Sequence, residues 1–276
     1  MSVINIQGLT QTKAKEVEEL VSDDSIVCLT ETQKKLRDIN FSDNCVIVDN
    51  MREEQDRKGG GLMVLYRKDT GVQLEKIPTK CPDILHTKGK MRGWEMRLVV
   101  VYLSVNDPPR NNNIKLQMER IINGNSHPLL VMGDFNGHVG FKGEQKVNTN
   151  GEIILELIML NDDCKCTGGE FTWSRNEQRS VIDYVLATNQ VYRKFKSMHI
   201  DEEKDIFDMS DHNPIEVELI IKEKKKKCER KEWVVKEYYK TDNNSLERFW
   251  VCMESQALNK EVENIEKLES LIKRRC

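Results

Sequence analysis

The chain consists of short apolar runs separated by polar and glycine-containing segments, a pattern typical of buried β-strands. The predicted strands are residues 2–6, 25–29, 45–48, 61–66, 97–103, 129–132, 171–174, 181–186 and 215–221. Apolar residues recur at helical spacing in 10–21, 113–122 and 151–161. We interpret the Asp-Pro-Pro sequence at 107–109 as a break before the second helix, and 171–174 with 181–186 as a hairpin. The pattern therefore predicts an α/β fold, a four-layered α/β sandwich of two mostly antiparallel sheets with outer helices.

The strand at 129–132 is followed by Gly133, Asp134, Phe135 and Asn136. Its four consecutive apolar residues predict a strand that is buried on both faces. If the chain stays extended, side chains two residues apart point the same way, which places Asp134 beside Asn136. An acid and an amide in this arrangement could deprotonate a nucleophile and hold the group that it attacks. An ordinary strand end followed by an Asx-type turn explains the same residues, so this segment alone leaves both interpretations open.

The balance of charge changes at residue 222. Residues 1–221 hold 28 Lys and Arg against 35 Asp and Glu, whereas residues 222–276 hold 15 against 11. The aliphatic runs that can build a core are concentrated in the first part. We therefore predict a folded domain at 1–221, followed at 222–276 by a basic linker and a helical tail. The lysine-rich run 222–227 is either a solvated linker or a basic tail that faces nucleic acid.

Several classes of protein are excluded by composition. No secretory h-region follows Met1, and no run approaches the roughly 18 apolar residues of a membrane span. The eight cysteines are scattered, and Cys164-Lys165-Cys166 is spaced too tightly for a usual zinc knuckle. These features predict a reducing, intracellular environment, no membrane partner and no structural zinc. The glycines at 59–61 precede a strand, with no Lys-Ser/Thr after them, so they do not match a phosphate loop.

Polar residues stand at the ends of several predicted strands. They are Asn5, Glu31, Tyr102, Asp134, Asn136, Asp183, Asp211 and His212. Any one of them alone is more often a cap or a turn residue, but together they supply the parts for hydrolysing a phosphodiester. Glu31, with Asn5 and Asp211, offers the hard oxygen ligands that suit Mg²⁺. The metal would polarise the phosphoryl oxygen and stabilise a leaving alkoxide.

The other members of this set match the remaining parts of the reaction. Asp134 could orient and deprotonate the attacking water. His212, held by Asp183, could donate hydrogen bonds to the developing negative charge, because a neighbouring carboxylate favours the protonated imidazole. Asn136 and Tyr102 would complete the hydrogen bonds around the phosphate.

Six short motifs carry a resemblance to a known superfamily. They are Ile4-Asn5-Ile6-Gln7-Gly8, Leu29-Thr30-Glu31-Thr32, Val101-Tyr102, Gly133-Asp134-Phe135-Asn136, Ile182-Asp183-Tyr184 and Ser210-Asp211-His212-Asn213-Pro214. In this order and spacing they resemble the endonuclease/exonuclease/phosphatase superfamily over residues 1 to about 221, which implies a DNase I-like fold. Three further motifs make the chain most similar to the apurinic-type endonuclease domain of non-LTR, LINE-like retrotransposons. These are the continuation Gly137-His138-Val139-Gly140, Asn150-Gly151-Glu152 and the hairpin sequences around Phe171-Thr172-Trp173-Ser174 and Ser180-Val181-Ile182-Asp183.

The resemblance implies a reaction and assigns roles in it. Mg²⁺, or Mn²⁺ in its place, would be held chiefly by Glu31, Asp134 would be the base, and Asn136 would contact the phosphate. Thr172 matches a position that faces the DNA in such domains. The implied reaction nicks one DNA strand and leaves a 3′-hydroxyl, which in a full-length element primes a reverse transcriptase. A DNA substrate also implies a nuclear location.

Two departures from the pattern stay open. Gln7 stands where many apurinic endonucleases have Asp, which affects the expected metal affinity or abasic-site preference. No reverse-transcriptase pattern follows, which suggests a truncated element or a protein derived from one.

Two functions other than a DNA endonuclease stay open. They are a phosphatase or phosphodiesterase of the same fold and a catalytically decayed nucleic-acid-binding module. The histidines outside the motifs, His86, His127 and His199, are predicted at the surface.

Overall fold

The fold is given by a computed structural model, which describes residues 1–21, 25–33, 39–50, 59–124, 128–140, 146–159, 164–167 and 171–221. The linker and the helical tail predicted at 222–276 lie outside the described residues. The boundary between the two predicted parts therefore stays a prediction.

Within the described residues, the strands form two six-stranded sheets and a separate hairpin. The first sheet contains β1 (Ser2–Asn5), β2 (Val27–Thr30), β3 (Cys45–Asn50), β4 (Leu62–Arg67), β13 (Phe195–Ile200) and β14 (Ile215–Leu219). The second sheet contains β5 (Val72–Ile77), β6 (Ile84–Met91), β7 (Trp94–Tyr102), β8 (Leu129–Asp134), β9 (Cys164–Thr167) and β12 (Asp183–Thr188). The hairpin consists of β10 (Trp173–Arg175) and β11 (Gln178–Ser180).

Each sheet is antiparallel except for one parallel pair near its centre. The strand order is β13-β14-β1-β2-β4-β3 in the first sheet and β5-β6-β7-β8-β12-β9 in the second. The parallel pairs are β1 with β2 and β7 with β8. Parallel neighbours need a crossover connection, and α1 (Gln11–Leu20) and α2 (Pro108–Asn123) supply the two crossovers. Because both strands of a parallel pair end at the same edge, each sheet presents two carboxyl ends side by side.

The side chains of the strands alternate between two packing layers, as the period of two requires. Val3 packs between the two sheets, whereas Ile4 packs on the outer face of the first sheet with Val17 of α1. Val100 likewise packs between the sheets, and Val99 packs under α2 and α3 (Thr149–Met159). The order of layers is therefore helix, sheet, sheet, helices. The predicted four-layered sandwich with two mostly antiparallel sheets is confirmed.

The start of α2 differs from the prediction. The helix begins at Pro108 rather than at Asn113, and the backbone N–H of Arg110 donates to the side chain of Asp107 over 3.3 Å. Proline is well suited to the first helical turn, because its missing N–H has no partner there in any helix. The Asp-Pro-Pro sequence follows the end of β7, as predicted, and it also starts the helix, so the predicted helix start at Asn113 was wrong.

The hairpin pairing also differs from the prediction. Strand β10 pairs with β11, and not with the segment that begins at Asp183. That segment is β12, and it pairs with β8 in the second sheet. A tight turn at 176–177 closes the hairpin, so the chain crosses into the second sheet only after Ser180.

Five of the described strands escaped prediction because they are short or carry many polar residues. They are β5, β6, β9, β11 and β13, with the sequences VQLEKI, ILHTKGKM, CKCT, QRS and FKSMHI. Strands at or next to a sheet edge are partly solvated and lack the continuous apolar run that marks a central strand.

The surface prediction holds for one of the three remaining histidines. His199 is exposed, and His127 lies outside the described residues. His86, on β6, is only 7% exposed, so its predicted surface position was wrong. Among the helices of the described ranges, none is both long and apolar enough to cross a membrane.

Candidate active site

The predicted site residues of the two sheets meet where the parallel pairs end. Asn5 and Tyr102 are the last residues of β1 and β7, and Asp134 is the last residue of β8. Tyr102 and Asp183 lie on either side of Asp134 in the register of the second sheet. The side-chain Nδ2 of Asn5 donates to Asp134 Oδ2 over 2.8 Å, which ties the two sheets together. The strand ends therefore form one site between the sheets.

Asp134 is buried and fully hydrogen-bonded at the centre of this site. It is 1% exposed, and its Oδ1 accepts from the backbone N–H of Asn136 over 2.9 Å. Its Oδ2 accepts from the side chains of Asn5 and Asn136 over 2.8 and 3.1 Å. Burial, together with the carboxylate of Asp183, raises the pKa of Asp134 to about 8. A carboxyl group with a pKa close to neutrality is suited to proton transfer.

His212 and Asp183 form a buried pair beside Asp134. His212 Nδ1 lies 2.9 Å from Asp183 Oδ2, and the two residues are 5% and 3% exposed. Burial alone would lower the pKa of His212, but the contact with Asp183 outweighs it and the pKa rises to about 9. The imidazole is therefore charged at neutral pH, and its Nε2–H is available as a donor to an anion.

Backbone contacts hold this pair in place. The backbone N–H of His212 donates to Ser210 Oγ over 3.1 Å, and that hydroxyl donates to the carbonyl of Asn5 over 2.7 Å. The loop that carries His212 is thus fixed to the end of β1.

Thr172 supports the pair from the other side, which differs from its predicted place on the substrate-facing surface. Its side chain is 0% exposed, and Thr172 Oγ1 accepts from the backbone N–H groups of Ile182 and Asp183 over 2.9 and 3.0 Å. The backbone N–H of Asn213 donates to the Thr172 carbonyl over 2.7 Å. In this conformation the threonine positions Asp183 and does not present its side chain to a substrate.

Asn136 is held by a network of asparagines that the motifs did not reveal. Its Nδ2 donates to the carbonyl of Leu103 over 2.8 Å, and its backbone adopts a positive φ of 47°. Its carbonyl accepts from the side chains of Asn148 and Asn150 over 3.1 and 3.3 Å. Asn111, which is buried in α2, donates to Asn150 Oδ1 over 2.8 Å. The motif Asn150-Gly151-Glu152 was a signal for part of this network, whereas Asn111 had none.

Glu31 and Tyr102 flank the opposite side of the site, next to the glycines at 59–61. The backbone N–H groups of Thr32 and Gln33 donate to the carbonyls of Gly61 and Gly60 over 3.1 and 3.0 Å. Gly59 has a φ of +83°, and a Cβ on it would lie 2.6 Å from the Tyr102 hydroxyl and 3.7 Å from Glu31 Oε1. A Cβ here would clash with the Tyr102 hydroxyl and make only an ordinary contact with Glu31, so the glycine leaves room for Tyr102 and the glycine run forms a wall of the site.

The oxygen ligands predicted for a metal fit a divalent cation. Glu31 is partly exposed, and its Oε2 accepts from Gln33 Nε2 over 3.1 Å. Asn5 Oδ1 accepts from the backbone N–H of Gln7 over 3.0 Å, which orients it. Asp211 Oδ1 is buried without a hydrogen-bond partner in the described part of the chain, and it lies 3.9 Å from His212 Nε2. A buried carboxylate oxygen without a hydrogen bond can be stabilised by a cation.

A second group of ligand atoms lies close by. One ligand atom from each of Asp134, Asp183 and His212 lies within 4.8 Å of the others. Since Asp183 and His212 already bond to each other, this second group is suited to proton transfer and charge stabilisation.

Comparisons with known proteins agree with this geometry. A family described as endonuclease-reverse transcriptase matches residues 96–216. The endonuclease domain of TRAS1, a telomere-specific non-LTR retrotransposon, has a similar structure, with a TM-score of 0.61, 18% identity, and 80% of this chain and 98% of that chain covered. No curated protein matches the sequence.

Two further solved structures share the fold. The 3′-5′ exonuclease NExo from Neisseria meningitidis has a TM-score of 0.57 at 17% identity, with 80% of this chain and 99% of that chain covered. An AP endonuclease from Archaeoglobus fulgidus has a TM-score of 0.53 at 14% identity, with 80% and 98% covered. These structures share the fold of the chain, and the family match over residues 96–216 adds a similarity in sequence. The resemblance is to endonucleases of retrotransposon type.

Proposed function

We propose that this protein is a Mg²⁺-dependent DNA endonuclease that nicks one strand and leaves a 3′-hydroxyl. The observation that carries the proposal is the meeting of Asp134 with the Asp183–His212 pair at the ends of the parallel strands, within reach of the carboxylate of Glu31. This arrangement combines a base, a charged hydrogen-bond donor and oxygen ligands around one small space.

Asp134 is the general base in this mechanism. Its two oxygens are held by Asn5 and Asn136, so the carboxylate keeps one orientation while it takes a proton from the attacking water. Because the nearby negative charges raise its pKa, a cation bound among them would favour the ionised carboxylate at neutral pH.

His212 stabilises the charge that develops on the phosphate. Its Nδ1 is occupied by Asp183, so its Nε2–H faces the reacting group as the charged donor. The Tyr102 hydroxyl lies at the same rim and is placed to donate to a phosphate oxygen. Both N–H bonds of the Asn136 side chain go to Leu103 and Asp134, so in this conformation Asn136 orients the base and does not contact the phosphate. When bound by Glu31, Asn5 and Asp211, Mg²⁺ would supply Lewis-acid stabilisation of the phosphoryl oxygen and the leaving oxygen.

A DNA substrate is supported by the surroundings of the site and by related structures. The hairpin β10–β11 adjoins His212 through a bridge between Trp173 and His212, and it carries the exposed cations Arg175 and Arg179. Such cations suit a phosphate backbone. Neisseria NExo, described as a 3′ phosphatase, is known with a bound product DNA hairpin, at a TM-score of 0.55 and 17% identity.

The description of Neisseria NExo as a 3′ phosphatase supports a second candidate function, that of a phosphatase or phosphodiesterase acting on another phosphate ester. A decayed binding module has less support, because none of the predicted catalytic residues is replaced. A reverse transcriptase as partner and a nuclear location follow only from the retrotransposon resemblance and the DNA substrate, and we propose them on that basis.

The deciding experiment is nicking of supercoiled plasmid by the full chain with Mg²⁺ and with EDTA. We expect open-circle product with Mg²⁺, none with EDTA, and none from Glu31→Ala, whereas the matched change of an exposed glutamate on β7, Glu95→Ala, keeps activity. Extension of the nicked product by a DNA polymerase would establish the 3′-hydroxyl. Absence of nicking by folded protein, with release of phosphate from a 3′-phosphorylated oligonucleotide, would replace the endonuclease by the phosphatase.

A further inference from the structure

A second cavity lies on the outer face of the second sheet, away from the active site. It has a volume of about 580 Å³ and lies between α2 and the strands β5 and β6. The polar residues that line it are Thr79, Lys80, His86, Arg97, Asn113, Gln117 and Arg120. A volume in this range is typical of small-ligand sites.

The cavity is separate from the catalytic residues. Arg97 pairs with Leu129 at the start of the parallel pair β7–β8, and Tyr102 pairs with Asp134 at its end. Five residues of strand at about 3.3 Å each place the two levels roughly 16 Å apart along the sheet. Arg97 also faces the helices, whereas Tyr102 belongs to the layer between the sheets.

The described lining residues are cationic or neutral. They include Lys80, Arg97 and Arg120, and none of them is a carboxylate. This is unusual in a domain whose acidic residues outnumber its basic ones, 35 to 28, over residues 1–221. Arg97 is 4% exposed, and its Nη1 donates to the carbonyl of Ile121 over 2.6 Å, which fixes the guanidinium against the end of α2. The cavity therefore offers positive charge from both of its walls.

His86 gives an independent indication of a ligand. It is 7% exposed, and its Nε2 is buried with no hydrogen-bond partner in the described part of the protein. A buried polar atom without a partner is costly, and native structures rarely leave one without a reason. Burial, with Arg97 acting in the same direction, lowers the pKa of His86 to about 4. The ring is therefore neutral at pH 7, and a neutral ring can present one N–H donor.

We propose that this cavity binds a phosphate group, with His86 and Arg97 at its base and Lys80 and Arg120 at its mouth. Charged donors on both walls and an unused ring nitrogen match the several oxygens of a phosphate better than they match a carboxylate or a neutral ligand. The phosphate belongs either to a free nucleotide or to a nucleic-acid strand. The proposal does not depend on the endonuclease activity, because its site and its readout are both distinct from Asp134.

The test follows the imidazole signals of His86 by NMR in the full chain without metal. The signals are assigned by their loss in His86→Gln. The probes are inorganic phosphate, a nucleoside 5′-monophosphate and a short single-stranded oligodeoxynucleotide. We expect a saturable shift of the His86 signals and an increase in the pKa of His86, since a bound anion favours the charged ring. Tighter binding of the monophosphate would indicate a nucleotide, and tighter binding of the oligonucleotide would indicate a strand.

A pair of double variants with equal charge changes makes the test specific. Lys80→Gln with Arg120→Gln should weaken the binding at least about tenfold, because two charged donors are lost. Lys15→Gln with Arg193→Gln removes two exposed cations elsewhere and should leave it unchanged. The proposal is overturned if none of the three probes shifts the His86 signals, or if both double variants weaken the binding equally.

Discussion

Two buried histidines of this domain have opposite properties. His212, at the active site, is 5% exposed, and its pKa is raised to about 9. His86, in the outer cavity, is 7% exposed, and its pKa is lowered to about 4. Burial acts on both rings in the same direction, against the charged form. The difference comes from the neighbours, which are Asp183 and further carboxylates for His212 and the guanidinium of Arg97 for His86.

The comparison shows that burial alone does not determine what a polar residue can do. At the active site, carboxylates keep an imidazole charged, so that it can act on an anion in every cycle. In the outer cavity, burial and the neighbouring cation together keep the imidazole neutral, and its Nε2 has no hydrogen-bond partner in the described residues. The same side chain thus serves catalysis in one region and, on our proposal, passive binding in the other.

The largest effect is expected from removing the central carboxylate of the active site. Asp134→Asn keeps the shape, and its amide oxygen can still accept from the side chains of Asn5 and Asn136, but it loses the bond from the Asn136 backbone N–H and cannot accept a proton. We expect nicking to fall by about 10³-fold or more, near the upper end of what a general base contributes. Plasmid nicking measures this, and a DNA-binding assay should give nearly unchanged affinity. Nicking activity of Asp134→Asn equal to that of the wild type would contradict the proposed role of Asp134 as the general base.

The next effect comes from making the surroundings of His212 resemble those of His86. Asp183→Asn removes the main cause of the raised pKa, so the pKa of His212 should fall from about 9, with burial then opposed only by Asp134 and Asp211. We expect nicking at pH 7.5 to fall by roughly 10²-fold, as for loss of a charged donor. Histidine NMR signals report the pKa, and a His212 pKa that stays near 9 contradicts the assignment of Asp183.

The same variant has a consequence for stability. A histidine whose pKa is raised by folding stabilises the native state below pH 6.5, and this contribution is lost as the pH rises through 9. Wild type should therefore lose stability over this window relative to Asp183→Asn.

His86 should give the opposite dependence on pH. Its folded-state pKa lies below the unfolded value of 6.5, so its contribution is complete above pH 6.5 and is lost as the pH falls towards 4. The shift corresponds to about 3 kcal/mol in the free energy of unfolding. Urea unfolding of wild type and His86→Gln at pH 7 and pH 4 isolates this contribution. An equal acid loss in both proteins contradicts a buried neutral His86.

The smallest effect concerns a glycine at the wall of the active site. Gly59→Ala and Gly93→Ala both place a side chain at positive φ, 83° and 78°, which costs about 1–2 kcal/mol in each case. Only the first Cβ meets a functional group, the Tyr102 hydroxyl, since nothing lies within 4 Å of the second. We expect nicking to fall roughly tenfold in Gly59→Ala alone. Equal activities in the two variants would show that Tyr102 and Glu31 need no such space.

Much of the fold was predictable because central strands carry a continuous run of apolar residues. Strand β8 has an apolar run on both faces, and its position and its polar end were both found. Strand β5 has the same structure but lies at an edge, where Gln73, Glu75 and Lys76 are exposed and hide the pattern. The start of α2 was misplaced because proline breaks a helix interior but favours a helix start, and only the capping contact of Asp107 distinguishes the two.

The site residues were predictable to the extent that motifs contain them. Short motifs identify Asp134, Asp183 and His212, because each of these residues lies at or next to the end of a strand. Asn111 and Ser210 act through hydrogen bonds between segments that are far apart in sequence. Asn111 bonds to Asn150, 39 residues away, and Ser210 bonds to Asn5, 205 residues away. No local pattern encodes such pairings. Thr172 is the opposite case: a motif identified the residue, but the sequence did not show that its side chain is buried.

The pairing of β1 with β14 brings the two ends of the domain together. Val3 pairs with Ile215, and the loop before β14 carries Asp211 and His212. A chain emerging from the ribosome exposes Asn5 and Glu31 first and His212 last, and its first strand can pair with β2 early but lacks its other neighbour until β14 has been made. A nuclease of the proposed kind would thus be harmless to nucleic acid until residue 212 and the strand that follows it have been synthesised. Prematurely terminated copies, which end before residue 210, would stay harmless for the same reason.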